Sequence, residues 1–141
     1  MLILKYRLFS DKIRISGVRM YEIIVKHHFS SAHRLENYAG ECKNLHGHNW
    51  KVEVTARAEE LNDIGISMDF KEFKRIVRSE IDKFDHMLLN DHPSFKDINP
   101  TAENIARIIY RELSEKVNTG KLRIHMIEVW ESDNNGMRYF E

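Results

Sequence analysis

The sequence has little of what marks a secreted, membrane or nucleic-acid-binding protein. Its 141 residues include a single cysteine, so no internal disulfide can form, as expected in a reducing compartment. No apolar run approaches the length of a membrane span, and the first residues are too seldom apolar for a signal peptide. Basic and acidic residues number 22 each, so no net charge attracts nucleic acid or anionic membranes. We therefore expect a soluble, cytoplasmic protein.

The charge is nevertheless uneven along the chain. Residues 1–19 carry five basic residues and one acidic residue, whereas the remainder carries 17 basic and 21 acidic residues. This basic head is either an extra strand or arm, or an extension upstream of a natural start at Met20. The sequence predicts a basic N-terminal extension at 1–19 and a single domain at 20–141.

Alternation of apolar and polar residues predicts four strands. Residues 21–29 and 48–58 each place apolar side chains at every second position, which is typical of half-buried strands. A loop over 30–45 joins them. Residues 121–131 form another strand, and 136–141 form its hairpin partner after a turn rich in Asp, Asn and Gly.

Helical spacing predicts two helices between these strand pairs. Asp69 and Glu72 resemble a capping box, and the stripe behind them consists of Phe70, Phe73, Val77, Ile81 and Phe84. The second helix is capped by Asn99 or Thr101 and ends near 118–120; its buried side consists of Ile105, Ile108, Ile109 and Leu113. The order β-β-α-α-β-β indicates an α+β domain, with a four-stranded antiparallel sheet carrying two helices on one face.

The stretch CKNLHGH, residues 42–48, contains the cysteine and two histidines. His46 and His48 are two residues apart, so on an extended chain their rings lie on the same side, continuing the apolar face of the strand. Because protonating a ring there is costly, a divalent metal ion is the expected partner. His33, at the end of the preceding strand, is the third candidate ligand. Three neutral imidazoles suit zinc, with copper, nickel or iron possible, and leave one position for water or substrate.

Several alternatives stay open at this point. His27 and His28 are rival third ligands, although His27 also fits a core histidine. His92 and His125 have no partner by spacing, and we interpret them as structural. Cys42 could be a fourth zinc ligand, a reactive thiol beside the metal, or an inert buried thiol.

Five motifs occur in order over residues 20–141: FSSAHRL, CKNLHGHNW, FDHMLLND, NPTAEN and VWES. Together they resemble the 6-pyruvoyltetrahydropterin synthase and 6-carboxytetrahydropterin synthase family. The resemblance implies the tunnelling fold (T-fold), whose β-β-α-α-β-β unit agrees with the order predicted above. It also implies that three chains close a barrel and that two trimers stack into a homohexamer, with active sites between subunits.

The resemblance further implies a zinc enzyme. The ligands of Zn2+ would be His33, His46 and His48. Cys42 would be the proton-abstracting base, tuned by Asp85 and His86; because these two are adjacent, both reach the site only from a turn. Some relatives use a glutamate near this position, and Glu41 adjoins Cys42. The four-residue offset between the cysteine and the first zinc ligand of HGH favours the thiol.

The substrate-binding residues are implied in the same way. Glu131 would bind the guanidine-like edge of a pterin. A carboxylate on a partly apolar strand face needs a partner with several N–H donors, and this edge of the pterin supplies them. Thr101 would line the pterin pocket, although helix capping alone explains a threonine there. No glycine-rich phosphate loop is present, and scattered basic residues such as Lys26, Lys51 and Arg57 are candidates for a triphosphate.

The implied reaction is that of a zinc-dependent lyase acting on 7,8-dihydroneopterin triphosphate. The short chain and compact CKNLHGH motif favour the prokaryotic type, which yields 6-carboxy-5,6,7,8-tetrahydropterin, acetaldehyde and triphosphate on the route to deazaguanine nucleosides such as queuosine and archaeosine. The alternative within the family is a 6-pyruvoyltetrahydropterin synthase of the biopterin route. An alternative from another class is a non-catalytic, zinc-stabilised oligomer that binds a pterin or purine.

Overall fold

The computed structural model describes residues 19–141. The predicted basic extension at 1–19 therefore lies almost wholly outside the described residues. Within them the elements follow the predicted order: β1 (Tyr21–His33), β2 (His46–Ala58), α1 (Phe70–Ile81), α2 (Ala102–Val117), β3 (Leu122–Trp130) and β4 (Gly136–Tyr139). Among residues 19–141 no helix combines the length and apolar character needed to cross a bilayer.

The four strands form one antiparallel sheet in the order β1-β2-β3-β4. One face of the sheet is covered, with α1 against β1 and α2 against β3 and β4. The alternation in β2 sets this face, since Trp50, Val52 and Val54 are fully buried whereas Lys51 is exposed. The predicted α+β class and four-stranded sheet are confirmed.

β1 is longer than the predicted strand, which ended at Phe29. Residues 30–33 continue the pairing with β2. On the other edge of β1, the segment 85–88 supplies further hydrogen bonds: the Ser30 carbonyl accepts from residue 86 at 2.7 Å, and Ala32 N donates to residue 87 at 3.0 Å. Because both edges of β1 are hydrogen-bonded here, the polar residues 30–33, which were predicted as part of a loop, belong to the strand. His33 is the last residue of β1.

The observed sheet departs from simple alternation of buried and exposed side chains at one β-bulge. The β2–β3 register shifts between Thr55 and Ala56. As a result His125 is displaced from the covered face and is only half-buried, whereas Ile127 and Val129 are fully buried. Simple alternation would place His125 on the same face as Ile127 and Val129, but a bulge adds one residue and reverses the alternation beyond it.

Both helices begin at predicted caps. Asp69 accepts hydrogen bonds from the backbone N–H groups of Lys71 and Glu72 at 2.7 and 3.2 Å. Thr101, rather than Asn99, caps α2. The stripe of α1 was predicted to begin at Phe70. That side chain is 58 % exposed, and the buried stripe starts one turn later at Phe73.

Candidate metal centre and adjoining cavity

The strand register brings three histidines together at one end of the sheet. His33 of β1 lies opposite His46 of β2, and His48 lies two residues further along the same strand. Because side chains alternate along a strand, all three rings lie on the face of Trp50. One nitrogen from each ring can be chosen so that all three lie within 4.8 Å of one another. The predicted ligand set is thus a spatial cluster.

Backbone carbonyls fix two of the rings. His33 Nδ1 lies 2.7 Å from the Pro100 carbonyl, and His46 Nδ1 lies 2.7 Å from the Asn44 carbonyl. Since a carbonyl only accepts, each Nδ1 carries the proton and each Nε2 presents a lone pair. The two Nε2 atoms nevertheless lie 3.0 Å apart. Two lone pairs at that distance need a cation between them.

The environment disfavours a proton as that cation. Burial lowers the pKa of His33, and the neighbouring His46 and His48 lower it further, against the opposing effects of the Pro100 carbonyl and Glu131. Burial also lowers the pKa of His48. Neutral imidazoles aimed at one point are what a divalent metal requires, so the side chains present fit such an ion.

Glu131 adjoins this cluster from the end of β3. Its Oε1 lies 3.2 Å from His48 Nε2, but the approach is not aligned as a hydrogen bond, and that nitrogen is buried with no hydrogen-bond partner among the described residues. Trp50 closes the inner side, with its ring edge-on to His33 and His48 at centroid distances of 5.1 Å. The cluster therefore has an apolar floor and one flanking carboxylate.

A cavity of about 490 Å³ opens beside the cluster. Four of the predicted site residues line it: His33, Cys42, Thr101 and Glu131. Cys42 is a half-buried free thiol on a short 3-10 turn and is outside the group of potential metal ligands found in the described part of the chain. Glu41 is exposed and does not line this cavity. Thr101 both caps α2, through Asn104 N at 3.2 Å, and faces the cavity.

Asp85 and His86 lie elsewhere in the single chain. They follow a 3-10 turn after α1, where His86 has a φ of 55° and its Nδ1 lies 2.8 Å from Asp85 Oδ2. Asp85 Oδ1 accepts from Ser30 N at 2.8 Å, and this bond with that to His86 lowers its pKa. The His86 side chain is 83 % exposed, and the described residues that line the cavity do not include this pair.

The remaining histidines stay outside the cluster. Among the described residues the potential metal group excludes His27, which lies 2.8 Å from Asp82, and His28, which is exposed. His92 accepts from Ser94 N and packs against aromatic rings, which supports its structural interpretation.

The three basic residues suggested for a triphosphate are all ion-paired. Lys26 pairs with Glu53 at 2.8 Å, Lys51 with Asp133 at 2.5 Å, and Arg57 with Glu22 at 2.7 Å. Each of these side chains therefore already contacts a carboxylate of the same chain.

Sequence reasoning missed the groups that orient the rings and part of the cavity wall. The carbonyls of Asn44 and Pro100 carry no side-chain signal. Tyr38, Asn99 and Met137 also line the cavity, and only Tyr38, an aromatic residue in a polar loop, offered a hint. Asn99 had been considered only as a helix cap.

Comparison with known proteins gives a consistent result. The family model described as 6-pyruvoyl tetrahydropterin synthase matches residues 22–141. A 6-carboxy-5,6,7,8-tetrahydropterin synthase from Bacillus subtilis is 34 % identical over 104 residues, covering 70 % of this chain and 69 % of the relative. A 6-pyruvoyl tetrahydrobiopterin synthase from Dictyostelium discoideum is 34 % identical over 123 residues, covering 79 % and 89 %. The solved 6-pyruvoyl tetrahydropterin synthase of Caenorhabditis elegans has a TM-score of 0.78 at 26 % identity, covering 88 % and 97 %.

Proposed function

The chain belongs to the 6-pyruvoyl tetrahydropterin synthase family, and from that premise we propose that it is a zinc-dependent 6-carboxy-5,6,7,8-tetrahydropterin synthase. Its substrates are 7,8-dihydroneopterin triphosphate and one water molecule, and its products are 6-carboxy-5,6,7,8-tetrahydropterin, acetaldehyde and triphosphate. The observation that carries this proposal is that one member of the histidine cluster, His33, and the free thiol of Cys42 line the same cavity. A lyase needs such an electrophilic centre with a base beside it.

The metal in this proposal is Zn2+, held by His33, His46 and His48. Nitrogen donors of this kind favour zinc over the hard cations, and three of them leave a coordination position for substrate. When bound, zinc polarises the side-chain hydroxyls of the pterin.

Cys42 is the proposed base. It faces the cavity, whereas Glu41 does not, and this difference supports the thiol over the carboxylate. The thiolate would take a proton from the substrate side chain. Asp85 holds Nδ1 of His86, so the free Nε2 of that ring, supplied by a second copy of the chain, is left to exchange a proton with the thiol.

Glu131 and Thr101 are proposed to bind the pterin. An ionised carboxylate accepts two parallel N–H bonds, which matches the guanidine-like edge of the ring. Glu131 is half-buried and faces both the cavity and His48. A pterin bound there would place its side chain toward the histidine cluster. Thr101 faces the same cavity from the start of α2.

We also propose that the active site is completed by a second copy of the chain in a homohexamer, a dimer of trimers. Two features support this: the exposed position of the Asp85–His86 pair outside the cavity, and the free edges of β4 and the first half of β1 within the described sheet. Unpaired edges favour closure into a barrel. Size-exclusion chromatography with light scattering should give about six times the 16.8 kDa chain mass; a monomer would contradict it.

The test of activity is direct. Zinc-loaded protein is incubated with 7,8-dihydroneopterin triphosphate, and acetaldehyde and triphosphate are assayed. We expect both products from the wild type. Cys42→Ala should abolish the formation of both products while zinc and pterin still bind. Cys42→Ser, which replaces the thiol by a hydroxyl of similar size, is the isosteric control. Loss of zinc from Cys42→Ala would instead indicate a structural, Cys-ligated site and a non-catalytic binding protein.

A second candidate is the 6-pyruvoyltetrahydropterin synthase reaction, which releases triphosphate alone. One observation supports it: the Dictyostelium discoideum relative named for this reaction is as identical to this chain, at 34 %, as the Bacillus subtilis relative named for the first reaction. Release of triphosphate without acetaldehyde would assign this activity in place of the first.

A further inference from the structure

We infer that Asn90 and Asn99 are positioning residues that hold the stretch Arg34–Glu36, and through it Cys42, in place beside the histidine cluster. The inference rests on the proposed function, in which Cys42 is the base. It assigns a role to two uncharged amide side chains that lie outside the group of potential metal ligands in the described part of the chain.

The two asparagines make the same unusual pair of bonds. Asn90 Oδ1 accepts from Arg34 N at 3.0 Å while its Nδ2 donates to the Arg34 carbonyl at 2.9 Å. Asn99 repeats this arrangement on Glu36, at 2.8 and 2.9 Å. Each amide thus makes the reciprocal pair of bonds that a residue on a neighbouring strand would make. The two clamped residues are separated only by Leu35.

The residue between the two clamps is bonded to Cys42. Leu35 N, which lies between the two clamped residues, donates to the Cys42 carbonyl at 2.9 Å. The stretch follows directly after His33, whose ring is bonded to the Pro100 carbonyl next to Asn99. A continuous set of hydrogen bonds therefore connects the end of β1 to the turn that carries the thiol.

The thiol and the metal ligands are held by different hydrogen bonds. His33 is held by its pairing with β2 and by the Pro100 carbonyl, neither of which involves an asparagine side chain. Cys42 depends on Leu35, which lies between the two amides. Among the described residues Asn90 does not line the cavity, so it acts only through Arg34, whereas Asn99 also faces the cavity. Loss of the Asn90 clamp should therefore displace the base and leave the metal in place.

Asn90→Asp is the sharpest variant. It keeps an acceptor for Arg34 N–H but turns a carboxylate oxygen toward the Arg34 carbonyl, where the donor stood. Asn62→Asp is the matched control, because Asn62 Oδ1 only accepts, from Ile64 N and Ile66 N at 3.1 Å each. An aspartate retains both of those bonds.

Two readouts distinguish positioning from general damage. For Asn90→Asp we expect kcat to fall about tenfold or more with KM and zinc content within about twofold, as misplacement of a reacting group predicts. The rate of Cys42 alkylation by iodoacetamide in the zinc-loaded protein should change about threefold or more, since thiol reactivity depends on surroundings. Asn62→Asp should change neither. Asn99→Asp should lower kcat likewise and raise KM as well.

Unchanged kcat and alkylation in folded Asn90→Asp would overturn the inference, and so would parallel losses of zinc and substrate affinity. If the variants do not fold, amide hydrogen exchange of wild-type Arg34 and Glu36 decides, because unprotected exchange there contradicts the clamp. If the wild type lacks turnover, the proposed function fails, whereas alkylation and exchange still test the clamp.

Discussion

His33 Nε2 and His46 Nε2 lie 3.0 Å apart although the Nδ1 of each ring is bonded to a backbone carbonyl. Each ring is therefore in the tautomer that a metal ligand needs, and the fold itself imposes it. A neutral pair of this kind is unfavourable without a cation, since two lone pairs face each other. The cluster is thus arranged for a metal by main-chain contacts as much as by the histidines.

Zinc should stabilise the wild-type protein, because an ion that binds only the folded state adds about 2.7 kcal/mol at a free concentration of 100 times Kd. His46→Ala should weaken binding by about 100-fold or more, since it removes a ligand rather than its support. His28→Ala is the control, since His28 is exposed and lies outside the cluster. Calorimetric titration with zinc measures the affinity of each variant. Equal losses of zinc affinity in His46→Ala and His28→Ala would count against the proposed ligand set.

Glu131→Gln should weaken pterin binding while zinc affinity is retained. An amide cannot accept two charge-assisted hydrogen bonds, each worth about 1.5–3 kcal/mol, so the pterin Kd should rise about tenfold or more. Titration with a pterin product measures this in zinc-loaded protein. If zinc is lost instead, Glu131, which lies 3.2 Å from His48 Nε2, is a metal ligand and its assignment to the pterin is wrong.

Glu80→Gln should destabilise the pairing of α1 with α2. The Glu80 side chain is 1 % exposed and accepts hydrogen bonds from Lys83, at 2.5 Å, and from Lys116 of α2. Because both lysines are about half exposed, we expect a loss of about 1–3 kcal/mol in urea unfolding. Glu72→Gln is the control on the same helix. Its partner Arg75 is solvent-exposed, so an effect as large as that of Glu80→Gln would contradict the assignment.

The same carboxylate predicts a pH dependence. Burial alone would raise the pKa of Glu80, but hydrogen bonds from Lys116 and Lys83 outweigh it and place the pKa below the ordinary 4.5. The unfolded chain then takes up the proton first, so this stabilisation is complete above about pH 4.5 and is lost as the pH falls through the lower folded pKa. The stability gap between wild type and Glu80→Gln should narrow below pH 4.5; a gap that widens there would be the wrong sign.

Gly136→Ala should disturb the cavity wall, whereas Gly120→Ala should not. A Cβ at Gly136 would lie 2.5–2.9 Å from three atoms of the Trp130 ring, but none of the described atoms lies within 4 Å of one at Gly120. The Trp130 ring is itself bonded to Glu128 at 3.1 Å and would have to move. We expect a loss of about 1–3 kcal/mol for the first variant and less than about 0.5 kcal/mol for the second. Thermal unfolding of the two variants side by side checks the difference.

The fold was largely predictable because strict alternation and helix caps are local signals. The period of two from His48 to Ala58 identified β2 and its buried face, and Asp69 located the start of α1. The bulge opposite Thr55 and Ala56 was not predicted. The apolar positions of β3 do change phase, from Leu122 and Ile124 to Ile127 and Val129, but alternation alone does not locate the extra residue. The consequence of the bulge is the position of His125.

The clustering of three histidines was predictable from the sequence, but the groups that orient and support them were not. The two-residue spacing of His46 and His48 predicts that their rings lie side by side. His33 is predicted to join them if β1 and β2 pair as a hairpin. The carbonyl of Pro100 and the amides of Asn90 and Asn99 act through backbone geometry that no residue pattern encodes. The distance of the Asp85–His86 pair from the cavity is likewise a property of chain packing.

X-ray absorption spectroscopy of the zinc-loaded protein examines the metal centre itself. Three imidazoles and one oxygen should give only nitrogen or oxygen scatterers at about 2.0–2.1 Å. The spectrum should be unchanged in Cys42→Ala. A sulfur scatterer at about 2.3 Å that disappears in Cys42→Ala would show the thiol bonded to zinc, and would contradict a free base beside an open metal site.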